Sequence, residues 1–140
     1  MNVPRPLLVT GSHRSGTGWA GEMLAATPSP RLAYLWEPFS LRVRPGISDA
    51  PLRYWFTYVC RENEEAFRGP VADTLAFRYR PGAELRSLRS PKDAGRFARD
   101  WWVTAGHRRH HAVPLFKDPI ALFSAAWLSD TFGMDVILLI

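Results

Sequence analysis

Pro6-Leu7-Leu8-Val9-Thr10-Gly11-Ser12-His13-Arg14-Ser15-Gly16-Thr17-Gly18-Trp19 is the stretch that decides how the rest of the chain is read. Pro6–Thr10 has the short apolar run of a buried strand, and it feeds straight into a glycine loop. From Thr17 to Ala26 the period becomes helical: Trp19 and Met23 stand four apart, as do Ala20 and Leu24. Pro28 and Pro30 end that helix. A strand, a Gly11-x4-Gly16 loop and a helix make phosphate-binding geometry. Glycines let successive backbone N–H groups turn toward one anion, and the helix start adds partial positive charge. Ser12, Ser15 and Thr17 add hydroxyls. The alternative is a tight turn that uses its glycines only for room.

The same alternation continues outward. Arg31–Trp36 reads as a second strand ending at Glu37-Pro38-Phe39. Leu52–Phe67 reads as one or two aromatic-rich helices, with Glu62, Glu64 and Glu65 on a solvated face. Arg78–Pro91, with Pro81-Gly82 inside it, reads as irregular and basic. Lys92–Ala105 is expected to be a helix carrying Phe97, Trp101 and Trp102 inward. Ala112–Phe116 is a strand, and Asp118-Pro119 is a helix start in which Asp caps free N–H groups and Pro suits the first position. That helix carries Ile120, Phe123 and Trp127 on one stripe, and Gly133 fits the left-handed position after it. Asp135–Ile140 is an unbroken apolar run, expected as a central parallel strand. Strands alternating with helices predict an α/β fold with a parallel sheet. A single domain over residues 1–140 is expected, incomplete at its C-terminal end because the last strand has no following helix.

Composition fits this. The chain has 140 residues, with 46% hydrophobic and 22% charged. These values exclude disorder, collagen-like repeats and coiled coil. A chain of this size buries about 70% of its unfolded surface. The lone Cys60 excludes an internal disulfide and cysteine metal clusters, and it fits a reducing compartment. Lys and Arg number 18 against 13 acidic residues, a net charge of +5. All but Lys92 and Lys117 of those cations are Arg, whose planar fork suits phosphate and sulfate oxygens. An anionic partner follows. Met1–Arg5 and Leu7–Val9 lack the pattern of a secretory leader. Ile120–Ser129, the longest uncharged run, is too short to span a bilayer. A cytoplasmic protein without a membrane span is expected.

A nucleotide hydrolase or kinase requires Gly-Lys-[Ser/Thr] at the end of such a loop. Here Gly16 is followed by Thr17 and Gly18, and the cation sits earlier, at Arg14. Arg14-Ser15-Gly16-Thr17-Gly18-Trp19 instead resembles the 5′-phosphosulfate loop of the sulfotransferases that use 3′-phosphoadenosine-5′-phosphosulfate (PAPS). Leu115-Phe-Lys-Asp-Pro119, followed by Phe123, Trp127-Leu128 and the strand Asp135–Ile140, is similar to the Lys-Asp-Pro region of bacterial and carbohydrate-type members. Glu37-Pro38-Phe39 resembles their Glu-Pro element. The three stretches follow in the family's order, and together they correspond to the N-terminal half of a usual member. Gly18 departs from a second Thr, and the Arg that follows the last strand in the family lies beyond Ile140. The resemblance thus implies a P-loop-type three-layer domain truncated before the 3′-phosphate site.

The resemblance also implies roles. Gly11, Arg14, Ser15, Gly16, Thr17, Gly18 and Trp19 would cradle PAPS, the donor, without a metal. Arg14 and Lys117 would stabilise the leaving phosphate. Lys117 ends a strand at the carboxyl edge of the sheet, where ligands bind. Glu37 would be the base, its carboxyl set in a partly apolar pocket of Trp36 and Phe39; a structural Glu held by loop amides is the alternative. Asp118 reads as a helix cap, and Trp19 as part of the core. His107, His110 and His111 could suggest a metal, but the interleaved arginines make a solvated basic helix end the better reading. Trp55, Phe56, Tyr58, Trp101 and Trp102 are core or acceptor-pocket lining. The acceptor would be a small-molecule, carbohydrate or lipid hydroxyl, with no nucleic acid and oligomeric state open. Two alternatives stand beside the enzyme: an inactive truncated homologue that only binds anions, and a P-loop kinase or NTPase.

Overall fold

A computed structural model describes residues 4–140. Met1–Arg5, read above as free of a leader, lies partly outside them. Four short strands form one all-parallel sheet: β1 (Leu7–Gly11), β2 (Leu32–Trp36), β3 (Val113–Lys117) and β4 (Asp135–Leu139), in the order β2-β3-β1-β4. The helices are α1 (Thr17–Ala25), α2 (Glu65–Leu75), α3 (Pro81–Ser87), α4 (Pro91–Arg109) and α5 (Ala125–Phe132), with a 3₁₀ segment over Pro119–Ser124 before α5. This is the expected α/β class. Among the described residues, no helix is long and apolar enough to cross a membrane.

Register assigns the two faces. Leu8 pairs with Phe116, and both belong to the main core with Phe39, Val59, Trp127, Leu128 and Met134. Side chains alternate along a strand, so Val9 and Lys117, which also pair, lie on the opposite face beneath α1. There α1 presses close: a Cβ at Gly21 would stand 2.8 Å from a Tyr34 ring carbon and 3.2 Å from Lys117 Cβ. Crossovers between parallel strands are right-handed. The one through α1 runs from β1 across β3 to β2, and the one through α5 runs from β3 across β1 to β4. These opposite directions put the two helices on opposite faces, and the sheet changes direction between β1 and β3.

Several elements differ from the expectation. Leu52–Phe67 is not helical before Glu65. Side chains take over the backbone groups that a helix would have paired. Ser124 Oγ accepts from Val59 N at 3.0 Å and donates to Thr57 O at 2.6 Å, and Asn63 bonds Cys60 N at 2.8 Å and Tyr58 O at 2.9 Å. Arg78–Pro91 contains α3, because Pro81 occupies the first helical turn, where its missing N–H costs nothing. The fourth helix runs longer than Lys92–Ala105; Ser90 accepts from Asp93 N and Pro91 opens the turn. Glu64 is only partly exposed, and its Oε2 accepts from Trp127 Nε1 at 2.7 Å.

Of the aromatic residues read as core or acceptor-pocket lining, and of Trp19, most are at the surface, which removes the core reading for them. Trp19 is 70% exposed and Trp102 81%, and α4 has no buried residue at all. The last strand, expected in the centre, lies at the edge among the described residues, with Val136 38% and Leu138 54% exposed. A continuous apolar run reports β-propensity; it does not count the neighbours of the strand.

Gly11 and Gly16 hold the turn after β1. Gly11 has φ +151°, and a Cβ there would overlap the Leu139 carbonyl oxygen of β4. Gly16 has φ +91° with open space around it. Gly16→Ala therefore meets backbone strain alone and is expected to cost about 1–2 kcal/mol. Gly11→Ala adds a collision with a neighbouring strand and is expected to cost more than ~2 kcal/mol. Urea denaturation of both variants checks this order, and equal costs would contradict it.

Candidate functional site

Strands β1, β3 and β2 end at one edge of the sheet, so residues distant in sequence meet there. The strand order places them in sequence across the edge: the loop 11–18 after β1, Lys117 at the end of β3, and Glu37 just past β2. Strands lie about 4.8 Å apart, so the loop and Glu37 are roughly 10 Å apart with Lys117 between them.

The loop is a tight turn. Ser15 donates twice to Ser12 O, from its amide at 3.2 Å and its hydroxyl at 2.7 Å. Arg14 has φ 62°, and Gly16, the residue before the first helical turn, lies in the left-handed region. Gly16 O accepts from Ala20 N at 2.9 Å. The amides of Gly16, Thr17, Gly18 and Trp19 have no protein acceptor among the described residues. Four N–H groups at this helix start have no acceptor from the protein, as at any helix N-terminus, and can donate to an anion. Arg14 is exposed beside it and pairs with no carboxylate among the described residues. On its outer side His13 meets Phe56 edge-on at 5.6 Å, and Phe56 meets Phe123 at 5.9 Å.

Lys117 links this cup to Glu37. Its stem runs under α1, with Cε 3.8 Å from where a Cβ of Gly18 would stand. Its Nζ bonds Glu37 Oε1 at 2.7 Å and lies 5.6 Å from the centre of the Trp36 ring. Both partners are largely buried, with side-chain exposures of 11% and 15%. Glu37 itself has φ 47°, a left-handed conformation that costs a bulky residue energy. Three bonds hold it there: Glu37 N to Lys117 O at 2.9 Å, Ser40 N to Glu37 O at 2.9 Å, and Phe39 N to Asp118 Oδ2 at 2.6 Å.

Asp118 caps the 3₁₀ segment as expected, its Oδ1 accepting from Ile120 N at 3.0 Å and Ala121 N at 3.1 Å. It also reaches across to the Glu37 loop through Phe39. Burial pushes its carboxyl up to about 7, against the opposing pull of the three amides, with nearby Glu37 adding to the rise. Phe39 belongs to the main core, so the wall beside Glu37 is Trp36 alone of the two aromatics expected there. Nothing in sequence pairs Asp118 with Phe39, 79 residues apart.

Beyond Glu37 lies a cleft of about 440 Å³ between the end of β2, the loop 40–47 and α4. Arg44 braces its floor, pairing with Glu84 of α3 and with Asp100 of α4 at 2.9 Å. Burial first, and then the Glu84 charge, push the adjacent Tyr79 hydroxyl to about 12. Of the histidines considered for a metal, His110 and His111 are exposed at the end of α4. His107 instead turns inward, its ring 5.4 Å from that of Phe77, and burial lowers its pKa, with Arg31 adding to the fall. Comparison of the chain with family models, with curated proteins and with solved structures finds no match.

Asp118→Asn would turn an amide N–H toward Phe39 N–H or toward the Ile120 and Ala121 amides. It is expected to destabilise by about 1–3 kcal/mol. The folded pKa of Asp118 lies above the ordinary carboxyl value. Its contribution is therefore full below that ordinary value and is lost as pH rises through about 7. Thermal midpoints of wild type and Asp118→Asn should differ more at pH 5 than at pH 8; a gap that widens with pH would contradict the sign.

Proposed function

We propose that this chain provides the donor cup and catalytic pair of a PAPS-dependent sulfotransferase with a P-loop-type fold. One observation carries this reading: the free amides of the loop, the Lys117 ammonium and the Glu37 carboxylate stand in that order along one sheet edge, with a cleft beyond Glu37. Sulfuryl transfer needs those parts in that order. The donor's 5′-phosphate sits against the amides of residues 16–19 and Arg14. Its sulfuryl group then points along the edge toward Lys117. An acceptor hydroxyl enters from the cleft beside Glu37.

In the transfer step the acceptor oxygen forms a bond to sulfur as the bond from sulfur to the bridging phosphate oxygen breaks. The acceptor proton passes to the Glu37 carboxylate, and the electron pair of the broken bond stays on the 5′-phosphate. Arg14, Lys117 and the loop amides meet that growing charge, as fixed donors aimed at developing charge do in other group transfers. Lys117 lies between the two reacting groups and is tethered to Glu37 at rest. As Glu37 takes the proton its hold on Lys117 weakens, and the ammonium turns to the leaving phosphate. A kinase reading requires a Lys where Thr17 stands and a Ser or Thr where Gly18 stands.

3′-Phosphoadenosine-5′-phosphate is expected to raise the thermal midpoint by roughly 9 °C at a hundredfold excess over its Kd. ATP with magnesium is expected to give no rise. A shift with ATP-magnesium alone would replace this reading with the kinase one, and no shift with either would leave an inactive homologue. Arg14→Ala should remove the shift. Glu37→Gln should keep the shift and lower sulfuryl transfer from PAPS at least about a hundredfold; retained turnover would exclude Glu37 as base.

A further inference from the structure

The cleft beyond Glu37 combines two kinds of lining. Leu35, Val43, Ile47 and Val103 give it apolar walls, and Trp36 stands at the Glu37 end. Arg42, Arg96 and Arg99 also line it. Arg44 is a fourth arginine there, but Glu84 and Asp100 already occupy it. The others are held lightly or not at all. Arg96 meets Asp93 at 3.0 Å and Arg99 meets Asp100 at 3.2 Å, both as exposed pairs of the kind that contribute little. Arg42 has no carboxylate among the described residues, and its guanidinium lies 5.9 Å from the Trp55 ring centre. Arg42 and Arg96 line the adjoining cleft of about 250 Å³ as well, so they stand on the ridge shared by the two.

Resting on the sulfotransferase reading, we infer that the acceptor is a small hydroxyl compound with an apolar body and an anionic group, the anion bound by Arg42 and Arg96. A volume near 440 Å³ matches sites for small ligands and leaves little room for a polymer. The apolar walls take that body. Arg42, with no carboxylate partner among the described residues, and Arg96, held only by Asp93 on the surface, offer guanidinium forks to a carboxylate, sulfate or phosphate. Such a group also fixes orientation. With the anion held by Arg42 and Arg96, the hydroxyl is left to reach Glu37, which lines the same cleft. The donor's own phosphates meet a different set of groups at the loop, two strands away.

Two phenols of similar shape test this by calorimetry, in the presence of saturating 3′-phosphoadenosine-5′-phosphate: 4-hydroxyphenylacetate, which is anionic, and 4-hydroxyphenylethanol, which is neutral. The anionic phenol is expected to bind about tenfold more tightly at low salt. That preference should shrink in 0.5 M salt, set by the ~10 Å screening length at 0.1 M falling further. It should vanish in the double variant Arg42→Ala/Arg96→Ala, while the thermal shift with the adenosine bisphosphate stays. Equal binding of the two phenols with a normal nucleotide shift overturns this inference and leaves the sulfotransferase reading standing. Loss of the nucleotide shift in the double variant assigns the arginines to the donor and likewise overturns it. If wild type shows no nucleotide shift yet still prefers the anionic phenol, the anion site stands and the sulfotransferase reading falls.

Discussion

Three backbone amides converge on the Asp118 carboxyl, and through them two loops from distant parts of the chain become one wall. Phe39 N comes from the turn after β2, and Ile120 N and Ala121 N come from the segment after β3. The next residue back, Lys117, grips the Glu37 side chain and, through its carbonyl, the Glu37 amide. Lys117 and Asp118 thus hold the same turn from both sides, Lys117 by its ammonium and its carbonyl and Asp118 by its carboxyl. The left-handed backbone of Glu37 is tolerable because these bonds over-determine it. Without them the turn has no reason to keep a conformation that disfavours a glutamate.

Arg14 shares that unusual backbone state. Two of the three residues proposed for chemistry therefore have left-handed backbones, Glu37 directly after β2 and Arg14 in the loop after β1, as do Phe56, Phe77 and His111 elsewhere. Gly21 has a related role without strain. By carrying no side chain it lets α1 descend onto Tyr34 and Lys117, and the depth of that descent sets how far the helix start stands from the lysine.

What could be read from sequence was what is local. The strand, glycine turn and helix at residues 7–25, and the Asp118-Pro119 cap, depend on neighbours a few positions away, and the patterns of both are visible. The site residues at the ends of β2 and β3 could be named because a strand ending in a charged residue places that charge at an edge. Their pairing could not, since the residues of the Lys117–Glu37 bond are 80 apart. Leu52–Glu64 misled because its aromatic content imitates a helix, whereas its amides and carbonyls are claimed by Ser124 and Asn63. The tryptophans of α1 and α4 misled for a simpler reason. Helical spacing of large apolar residues defines a face, and nothing in the spacing says whether another element covers it. The Arg44 brace to Glu84 and Asp100 carries no sequence signal at all.

Ser12 N, in the turn after β1, donates to Leu139 O at 3.2 Å. That turn is thus completed by a residue of β4, far along the sequence. A ribosome makes the residues of the turn long before it makes Leu139. Parallel pairing between such remote partners closes late. During synthesis the nascent chain therefore carries the loop's residues long before it carries the loop's full set of backbone bonds, which closes only when β4 has docked beside β1.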